Sequence, residues 1–232
     1  MNFACDVMHP KVKTFPLIDP DGSLAWLGSS CAFILAANWW LQGVRGMDRK
    51  EWLFRFSLEA LAAVILAGGM LHDGASPFTA WLVGLIVAHN LNFSFNGQFW
   101  VCARYCRFYR RPPAVVAAWR DRCFAEIAAL PWLDEAVCIG SQARGGNMPT
   151  PRSDIDLRVF FAGGFVNWLR VNGLLLRLRA TAFVGGIPLD LYAYERPDAL
   201  GRFDLCEPVA IIVDRRGRLA GLLGRRGYRA FP

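Results

Sequence analysis

The sequence has only three histidines and lacks the signature motifs of several large enzyme classes. The histidines, at positions 9, 72 and 89, are scattered through the first half of the chain. There is no Gly-x-Gly-x-x-Gly turn, no Gly-x-x-x-x-Gly-Lys-Ser/Thr loop, no Gly-x-Ser-x-Gly elbow and no His-Glu-x-x-His pair. A Rossmann dinucleotide site, a P-loop, an α/β-hydrolase triad and a histidine-based metal site are therefore not expected.

Cysteine usage argues against a disulfide scaffold. The seven cysteines form no Cys-x-x-Cys pair, and their number is odd. This usage predicts reduced thiols in a protein that faces the cytoplasm. The first 21 residues also lack a basic region followed by an apolar core, so we expect no signal peptide.

Apolar residues are abundant and are concentrated before residue 105. The 232 residues are 54% hydrophobic, with a mean hydropathy of +0.27, and this length allows one or two domains. The net charge of +7 comes mostly from arginines at the ends of apolar segments and in the C-terminal tail. Such a pattern suits the anionic face of a membrane or a nucleic acid.

Three apolar segments predict a helical membrane domain over residues 23–112, after an N-terminal segment 1–22. They run from Leu24 to Leu41, from about Trp52 to Leu71, and from Phe78 to about Tyr105. The first, at 24–42, either spans the bilayer or is re-entrant or flat. A soluble protein with unusually apolar core helices is the alternative to a membrane domain.

Arginine placement predicts the orientation of these segments. The connector Arg45–Arg55 and the region after Arg104 are basic, whereas the turn at His72 carries no Lys or Arg. By the positive-inside rule, the two basic regions are cytoplasmic. Near the start of the second segment, Arg55 and Glu59 lie one helical turn apart and are expected to pair.

A polar stripe interrupts the third apolar segment. His89, Asn92 and Asn96 are spaced three and four residues apart, which places them on one helix face. Polar groups in a membrane segment usually face a bundle interior or a site. The stripe therefore predicts either hydrogen bonds between helices or a pocket for the headgroup of a lipid-linked acceptor.

After Pro112-Pro113, the pattern changes to alternating helices and strands. The expected order is a helix at 114–130, a strand ending at Ile139, a Gly-Ser turn with a short helix, and a strand to Phe161. A helix at 165–182, a strand at 186–194, a strand at 209–213 and a basic tail follow. Residues 113–232 are thus expected to form a second domain.

Two motifs in this second domain carry the chemistry. Asp154 and Asp156 alternate with Ile155 and Leu157, so the two carboxylates share one face of a strand. Neighbouring carboxylates tolerate each other when a divalent cation lies between them, and Mg²⁺ takes one or two carboxylates plus substrate phosphates. The preceding Gly140-Ser141 offers backbone N–H groups and a hydroxyl to a phosphate.

Gly140-Ser141, Arg144-Gly145 and Ser153-Asp154-Ile155-Asp156-Leu157 together resemble the signature of minimal nucleotidyltransferases of the DNA polymerase β superfamily. The third acidic residue of that family would be Asp190, between apolar neighbours on a later strand. The resemblance covers roughly residues 114 to 220. It implies a small α/β domain with a mixed sheet flanked by helices and says nothing about the first half. Together with the apolar segments, it predicts an α+β chain in which a helical transmembrane domain precedes this α/β domain.

The resemblance also implies roles for individual residues. Asp154 and Asp156 would ligate two Mg²⁺ ions, and Asp190 would ligate the ion on the acceptor side and help take the acceptor proton. The expected nucleotide-binding residues are Gly140, Ser141, Arg144 and Ser153, with Arg152 or Arg158 as further candidates for charge neutralisation. His89, Asn92 and Asn96 are the candidate acceptor-binding residues.

The expected function is Mg²⁺-dependent transfer of a nucleoside monophosphate from a triphosphate such as ATP to a hydroxyl or phosphate at the membrane, with release of pyrophosphate. The catalytic domain would face the cytoplasm, and the acceptor would be a lipid or a lipid-linked group. Two alternatives stay open: nucleotidylation of a protein partner, and a non-catalytic nucleotide-binding scaffold in a membrane complex. Nucleic acid is a less favoured partner, because no added nucleic-acid-binding domain is visible.

Overall fold

The computed structural model describes residues 18, 22–41, 46–96, 98–143, 152–202, 207–224 and 228–230. Before residue 104, the described chain is helical. After residue 113, it forms a mixed sheet with helices, so the α+β class is confirmed. The domain boundaries given above stay predictions.

Two long helices form a hairpin in the first half: α2, Arg49–His72, and α3, Pro77–Phe95. The side chain of Asp48 accepts from the first N–H of α2, and Ser76 accepts from the N–H of Thr79 at 3.2 Å at the start of α3. Length and composition make these two the candidate membrane spans among the described residues. In the apolar 18-residue stretch of each helix, only 17% of α2 and 22% of α3 is buried.

Small residues bring α2 and α3 close together. Ala63, Ala67, Gly84 and Ala88 are buried. A Cβ on Gly84 would lie only 3.0 Å from the carbonyl oxygen of Ala63, so the helix backbones nearly touch there. Close contact through small residues is typical of helix pairs in membranes. The larger apolar side chains point outward instead: Leu61, Val64, Ile65, Phe78, Leu85 and Ile86 are each at least 46% exposed.

The first apolar segment does not form one long helix, as a single span would require. It forms a 3-10 helix, Ala25–Ser29, and a separate helix α1, Cys31–Leu41. Eleven residues rise only about 17 Å, so α1 is too short to cross a bilayer of about 30 Å. The third segment is also divided, because α3 ends at Phe95 and a short helix α4, Gln98–Ala103, follows.

A disulfide joins α1 to the chain after α4, so the expectation of reduced thiols is wrong for two cysteines. Cys31 and Cys106 are bonded, with their Cα atoms 5.1 Å apart. Cys102, Cys123 and Cys138 are free and buried. α1 lies antiparallel to the segment formed by α3 and α4. Its first residue, Cys31, is bonded to Cys106 after α4, and Trp39, near its end, contacts His89 in α3.

The second half is built around a five-stranded sheet with the order β3-β2-β1-β4-β5. The strands are β1 Glu135–Ile139, β2 Ile155–Phe160, β3 Leu189–Tyr194, β4 Val209–Asp214 and the two-residue β5 Arg229–Ala230. β1 is antiparallel to β2 and β4, whereas β2–β3 and β4–β5 are parallel. The predicted mixed sheet is therefore confirmed.

Two helices flank this sheet: α5, Pro113–Ala129, and α6, Phe165–Gly185. Their apolar positions recur at helical spacing and are buried with the strands in one core, which includes Phe124, Ile127, Leu175 and Leu178. The C-terminal region is more ordered than the expected basic tail. It contains a helix α7, Arg218–Leu223, as well as β5, and Leu219 and Leu223 are buried against the sheet.

Candidate functional site

The three predicted carboxylates lie together at one edge of the sheet. β2 and β3 are parallel, and their register places Asp156 directly opposite Asp190. Asp154 immediately precedes β2. Their side chains are 17–20% exposed, whereas Ile155 and Leu157 are fully buried. The predicted alternation of faces is therefore confirmed.

The Gly-Ser turn lies beside these carboxylates. β1 pairs antiparallel with β2, and Ile139 is opposite Asp156, so the chain leaves β1 at the carboxylate edge. Gly140 has φ +81°, a conformation that favours glycine. Its N–H donates to the carbonyl of Pro208 at 2.8 Å. Gly140 thus shapes the turn, and its N–H is already used, contrary to the expectation that it holds a phosphate.

Ser141 is the second residue of the short helix that was expected after the turn. This element, Gly140–Ala143, is a 3-10 helix in which Gln142 is buried. The Nη1 atom of Arg120, on α5, donates to the side-chain oxygen of Gln142 at 3.0 Å and thereby ties the turn to α5. Ser141 is half-buried next to the carboxylates and can still offer its hydroxyl to a ligand.

Arg158 is the main cation of the site. It follows Asp154 and Asp156 on the same face of β2, and its Nη2 atom lies 2.9 Å from Oδ2 of Asp190 and 3.8 Å from Oδ1 of Asp156. Its Nη1 atom donates to the carbonyl of Asp190 at 2.6 Å. In the sequence analysis, Arg158 was only a further candidate for charge neutralisation, but the structure brings it into direct contact with the acids.

Arg158 also determines the ionisation of Asp190. Burial, the largest single effect, acts to raise the pKa of this carboxyl, but the charge and hydrogen bond of Arg158 lead the opposing effects, which together hold the pKa below its usual range. Asp156 and Arg104 act in the same direction. Asp190 is therefore ionised at neutral pH and, as paired here, is a weak proton acceptor.

Arg104 reaches the site from the helical half of the chain. It directly follows α4, and its Nη1 atom pairs with Oδ1 of Asp154. Sequence reasoning assigned Arg104 to a basic membrane edge and missed this contact. The contact joins residues 50 positions apart in different halves of the chain, so no local pattern could have indicated it.

The remaining predicted nucleotide-binding residues are less informative. Ser153 is buried directly before Asp154, and Arg152 is exposed. Arg144, with Gly145, lies outside the described residues.

The predicted acceptor-binding stripe is engaged in hydrogen bonds between helices. His89 contacts Oε1 of Glu59 through Nδ1, at 2.7 Å, and the carbonyl of Trp39 through Nε2, at 3.0 Å. Asn92 donates to the other carboxylate oxygen of Glu59, and Asn96 donates to Asn92. These contacts favour the interhelical alternative for this stripe.

Glu59 was expected to pair with Arg55, but its partners are His89 and Asn92 instead. Arg55 is buried, and its Nη1 atom lies 3.6 Å from Glu51, one turn earlier on α2. Glu51 in turn pairs with Arg179 of α6 and accepts the N–H of Ala193 in β3 at 3.2 Å. A buried polar network thus connects α2 with the sheet domain.

The carboxylates fit Mg²⁺ in their chemistry, because hard oxygen ligands at one sheet edge are what this ion prefers. Their arrangement fits less well. Arg104 holds Asp154 and Arg158 holds Asp190, so protein cations lie where the metal ions are expected. In the described part of the chain, no three His, Cys, Asp or Glu side chains are grouped as metal ligands.

Comparisons with protein-family models, with curated proteins and with solved structures found no match to this chain. The resemblance to nucleotidyltransferases therefore rests on the motif and on the placement of its residues.

Proposed function

We propose that the chain is a membrane-anchored nucleotidyltransferase that moves a nucleoside monophosphate from a triphosphate to an acceptor at the membrane. The observation that carries this proposal is the in-register pair of Asp156 and Asp190, with Asp154 and the Gly140-Ser141 turn at the same sheet edge. A folding role alone does not require three carboxylates to be collected at one edge, because like charges repel.

In the proposed reaction, an acceptor oxygen forms a bond to the α-phosphorus, the bond to the bridging oxygen breaks, and pyrophosphate leaves. The proton of an acceptor hydroxyl passes to water. Mg²⁺, when bound, would polarise the phosphoryl group and activate the attacking oxygen. Ser141 would donate its hydroxyl to the β- or γ-phosphate. Asp190 would accept a hydrogen bond from the acceptor hydroxyl and orient it, which needs an ionised carboxylate rather than a strong base.

Arg104 and Arg158 have a second role in this proposal. Each binds one of the acids, so together they offset the negative charge of the cluster before substrate arrives. A triphosphate can then approach the acids with less repulsion. Arg104 would leave Asp154 when the nucleotide and its metal ion bind.

The location of the acceptor is inferred from the helical half. The outward faces of α2 and α3 are apolar along the full hairpin, and this surface would be costly to expose to water. The catalytic edge is joined to the same half through Arg104. A lipid or lipid-linked acceptor at the membrane surface fits this arrangement better than a soluble acceptor.

One observation favours a non-catalytic nucleotide-binding module instead. Asp154 and Asp190 are already neutralised by arginines, and a permanent ion pair would leave them unable to hold a metal ion. The proposal therefore requires that these pairs open, and turnover is the property that separates the two functions.

The deciding experiment measures transfer of labelled nucleotide by the full chain in lipid nanodiscs. The protein is incubated with Mg²⁺, a membrane lipid extract and each α-labelled nucleoside triphosphate, and label is followed into lipid, protein and free fractions. We expect label in lipid. Label on protein would instead support nucleotidylation of a partner, and nucleotide binding without transfer would support the non-catalytic module.

Asp156→Asn is the test variant, because Asp156 is not the main partner of either arginine. It should abolish transfer without unfolding the protein. Asp121→Asn is the matched control, since Asp121 is exposed on α5 and pairs with its neighbour Arg120. Full transfer by Asp156→Asn would refute the assignment of the site.

A further inference from the structure

A cavity of about 230 Å³ lies between α2, α3 and α6, outside the carboxylate site. Leu58, Leu91 and Leu176 line it, one from each helix, and each is 38–44% exposed, so the cavity opens through an apolar mouth. Its volume is several times the roughly 30 Å³ that a water molecule occupies in the liquid. It can therefore hold a chemical group of substantial size.

Two buried arginines that share the carboxylate of Glu51 lie on the inner wall of this cavity. Arg55 and Arg179 both line it and are only 4% and 2% exposed. The Nε and Nη2 atoms of Arg55 and the Nε atom of Arg179 are buried without a hydrogen-bond partner among the described residues. Buried charged donors are costly when they are left unsatisfied. These three nitrogen atoms are donors for which the described chain supplies no acceptor.

The nearby acids do not supply acceptors for these atoms. Glu51 lies 3.6 Å from the Nη1 atom of Arg55, pairs with Arg179 and accepts the N–H of Ala193. Glu59 lines the cavity, but both of its carboxylate oxygens are engaged, one by His89 and the other by Asn92. The complement to unpaired guanidinium donors is a ligand rich in acceptor oxygens, for which phosphate is the best match because several oxygens can accept at once.

We propose that this cavity binds the phosphate headgroup of an anionic lipid. The apolar mouth distinguishes a lipid from free phosphate, because an acyl chain attached to the headgroup would leave through Leu58, Leu91 and Leu176. The exposed apolar surface continues beyond the mouth along α6, where Leu169 and Val184 are 43% and 79% exposed. A lipid would cover this surface at the same time as it satisfies the arginines.

The cavity is separate from the carboxylate site. Asp154, Asp156 and Asp190 do not line it. The ring of Tyr192 contacts one arginine of each place: Arg158, which holds Asp190, lies 4.9 Å from the ring centroid, and Arg179, which lines the cavity, lies 5.8 Å from it. Lipid binding here goes beyond the proposed nucleotidyl transfer and does not depend on it. The test below uses no nucleotide, so its failure and the failure of the transferase proposal are distinguishable.

The experiment measures binding of dioleoyl phosphatidic acid to the purified full chain in detergent by native mass spectrometry. Dioleoyl phosphatidylcholine and inorganic phosphate serve as competitors. We expect phosphatidic acid to bind at least about tenfold more tightly than either competitor, which is about 1.4 kcal/mol. Equal binding of phosphatidylcholine, or displacement by inorganic phosphate at equal concentration, would overturn the proposal.

Arg55→Met is the test variant, and it should weaken phosphatidic acid binding at least about tenfold. Arg49→Met is the matched control, because Arg49 is exposed at the start of the same helix. If Arg55→Met does not fold, Ala62→Phe replaces it, since this change fills the cavity from its wall without altering charge. Unchanged binding in a folded variant of either kind would overturn the proposal.

Discussion

Arg104, at the end of the helical half, pairs with Asp154 at the edge of the sheet domain. Their side chains are only 11% and 17% exposed, so the pair is largely shielded from solvent. It connects the polypeptide after α4 to the first residue of the Asp-x-Asp motif. A conformational change in the helical half can therefore move Asp154, at the proposed catalytic edge, through this ion pair.

We expect Arg104→Gln to strengthen Mg²⁺ binding to the site by about three- to tenfold, because a competing positive charge is removed from Asp154. Isothermal titration of the wild type and the variant with Mg²⁺ measures the effect. Arg107→Gln is the control, since Arg107 is exposed three residues away. Weaker Mg²⁺ binding in Arg104→Gln would show that Arg104 supports the metal site rather than competes with it.

Arg158→Met should change how the free energy of unfolding depends on pH. In the wild type, the pKa of Asp190 is held below its usual range, so the pair stabilises the fold above about pH 4 and this stability is lost as pH falls further. Without Arg158, burial raises the pKa of Asp190 above its unfolded value. The buried carboxylate then destabilises the fold as pH rises through that higher pKa.

The deficit of Arg158→Met relative to the wild type should therefore grow between pH 4 and pH 7 and reach about 3 kcal/mol. Thermal unfolding at a series of pH values measures it. Arg215→Met is the control, because the acceptors of Arg215 among the described residues are the backbone carbonyls of Ala128, Leu130 and Leu133. A deficit in Arg158→Met that does not change with pH would contradict the role given to Asp190.

The parts of this fold that were predictable are those fixed by local periodicity. Alternation along β2 places Asp154 and Asp156 on one face, because strand side chains alternate whatever their tertiary surroundings. The long apolar runs of α2 and α3 are similarly local. The chain reversal after Asp73 and the basic ends of the hairpin were also visible in the sequence, and the structure places both basic ends beside the sheet domain.

The parts that were missed depend on contacts between distant residues. α3 stops at Phe95, where Asn96 bonds to Asn92 and accepts from Arg179 of α6, so a tertiary contact ends the helix within an apolar run. Asn96-Gly97 was a turn signal in the sequence that this run concealed. Arg55 and Glu59 satisfied the helical spacing rule, but other residues offered each of them a better-placed partner.

Gly84→Ala should destabilise the helix hairpin. The added Cβ would lie 3.0 Å from the carbonyl oxygen of Ala63 and 3.2 Å from the N atom of Ala67, and both are backbone atoms that cannot rotate away. We expect a loss of about 1–3 kcal/mol, measured by thermal unfolding in detergent. Gly68→Ala is the control: its Cβ would meet nothing within 4 Å on α2, so it should be neutral or stabilising. Equal effects of the two changes would contradict the close packing of α2 and α3.

The Cys31–Cys106 disulfide conflicts with the proposed cytoplasmic location of the catalytic domain, because the cytoplasm keeps thiols reduced. In protein purified without reductant, we expect neither cysteine to react with a maleimide after denaturation. Cys31→Ser should expose one new reactive thiol, at Cys106. The bond closes a separation of 75 residues, so its loss should also lower the free energy of unfolding by about 2–4 kcal/mol.

The redox state of this pair in cells is measured by trapping the protein with maleimide before lysis. Alkylation of both cysteines would show that the pair is reduced there, as a cytoplasm-facing site requires. Protection of both in cells would instead place this disulfide in an oxidising compartment and would contradict a cytoplasmic catalytic domain.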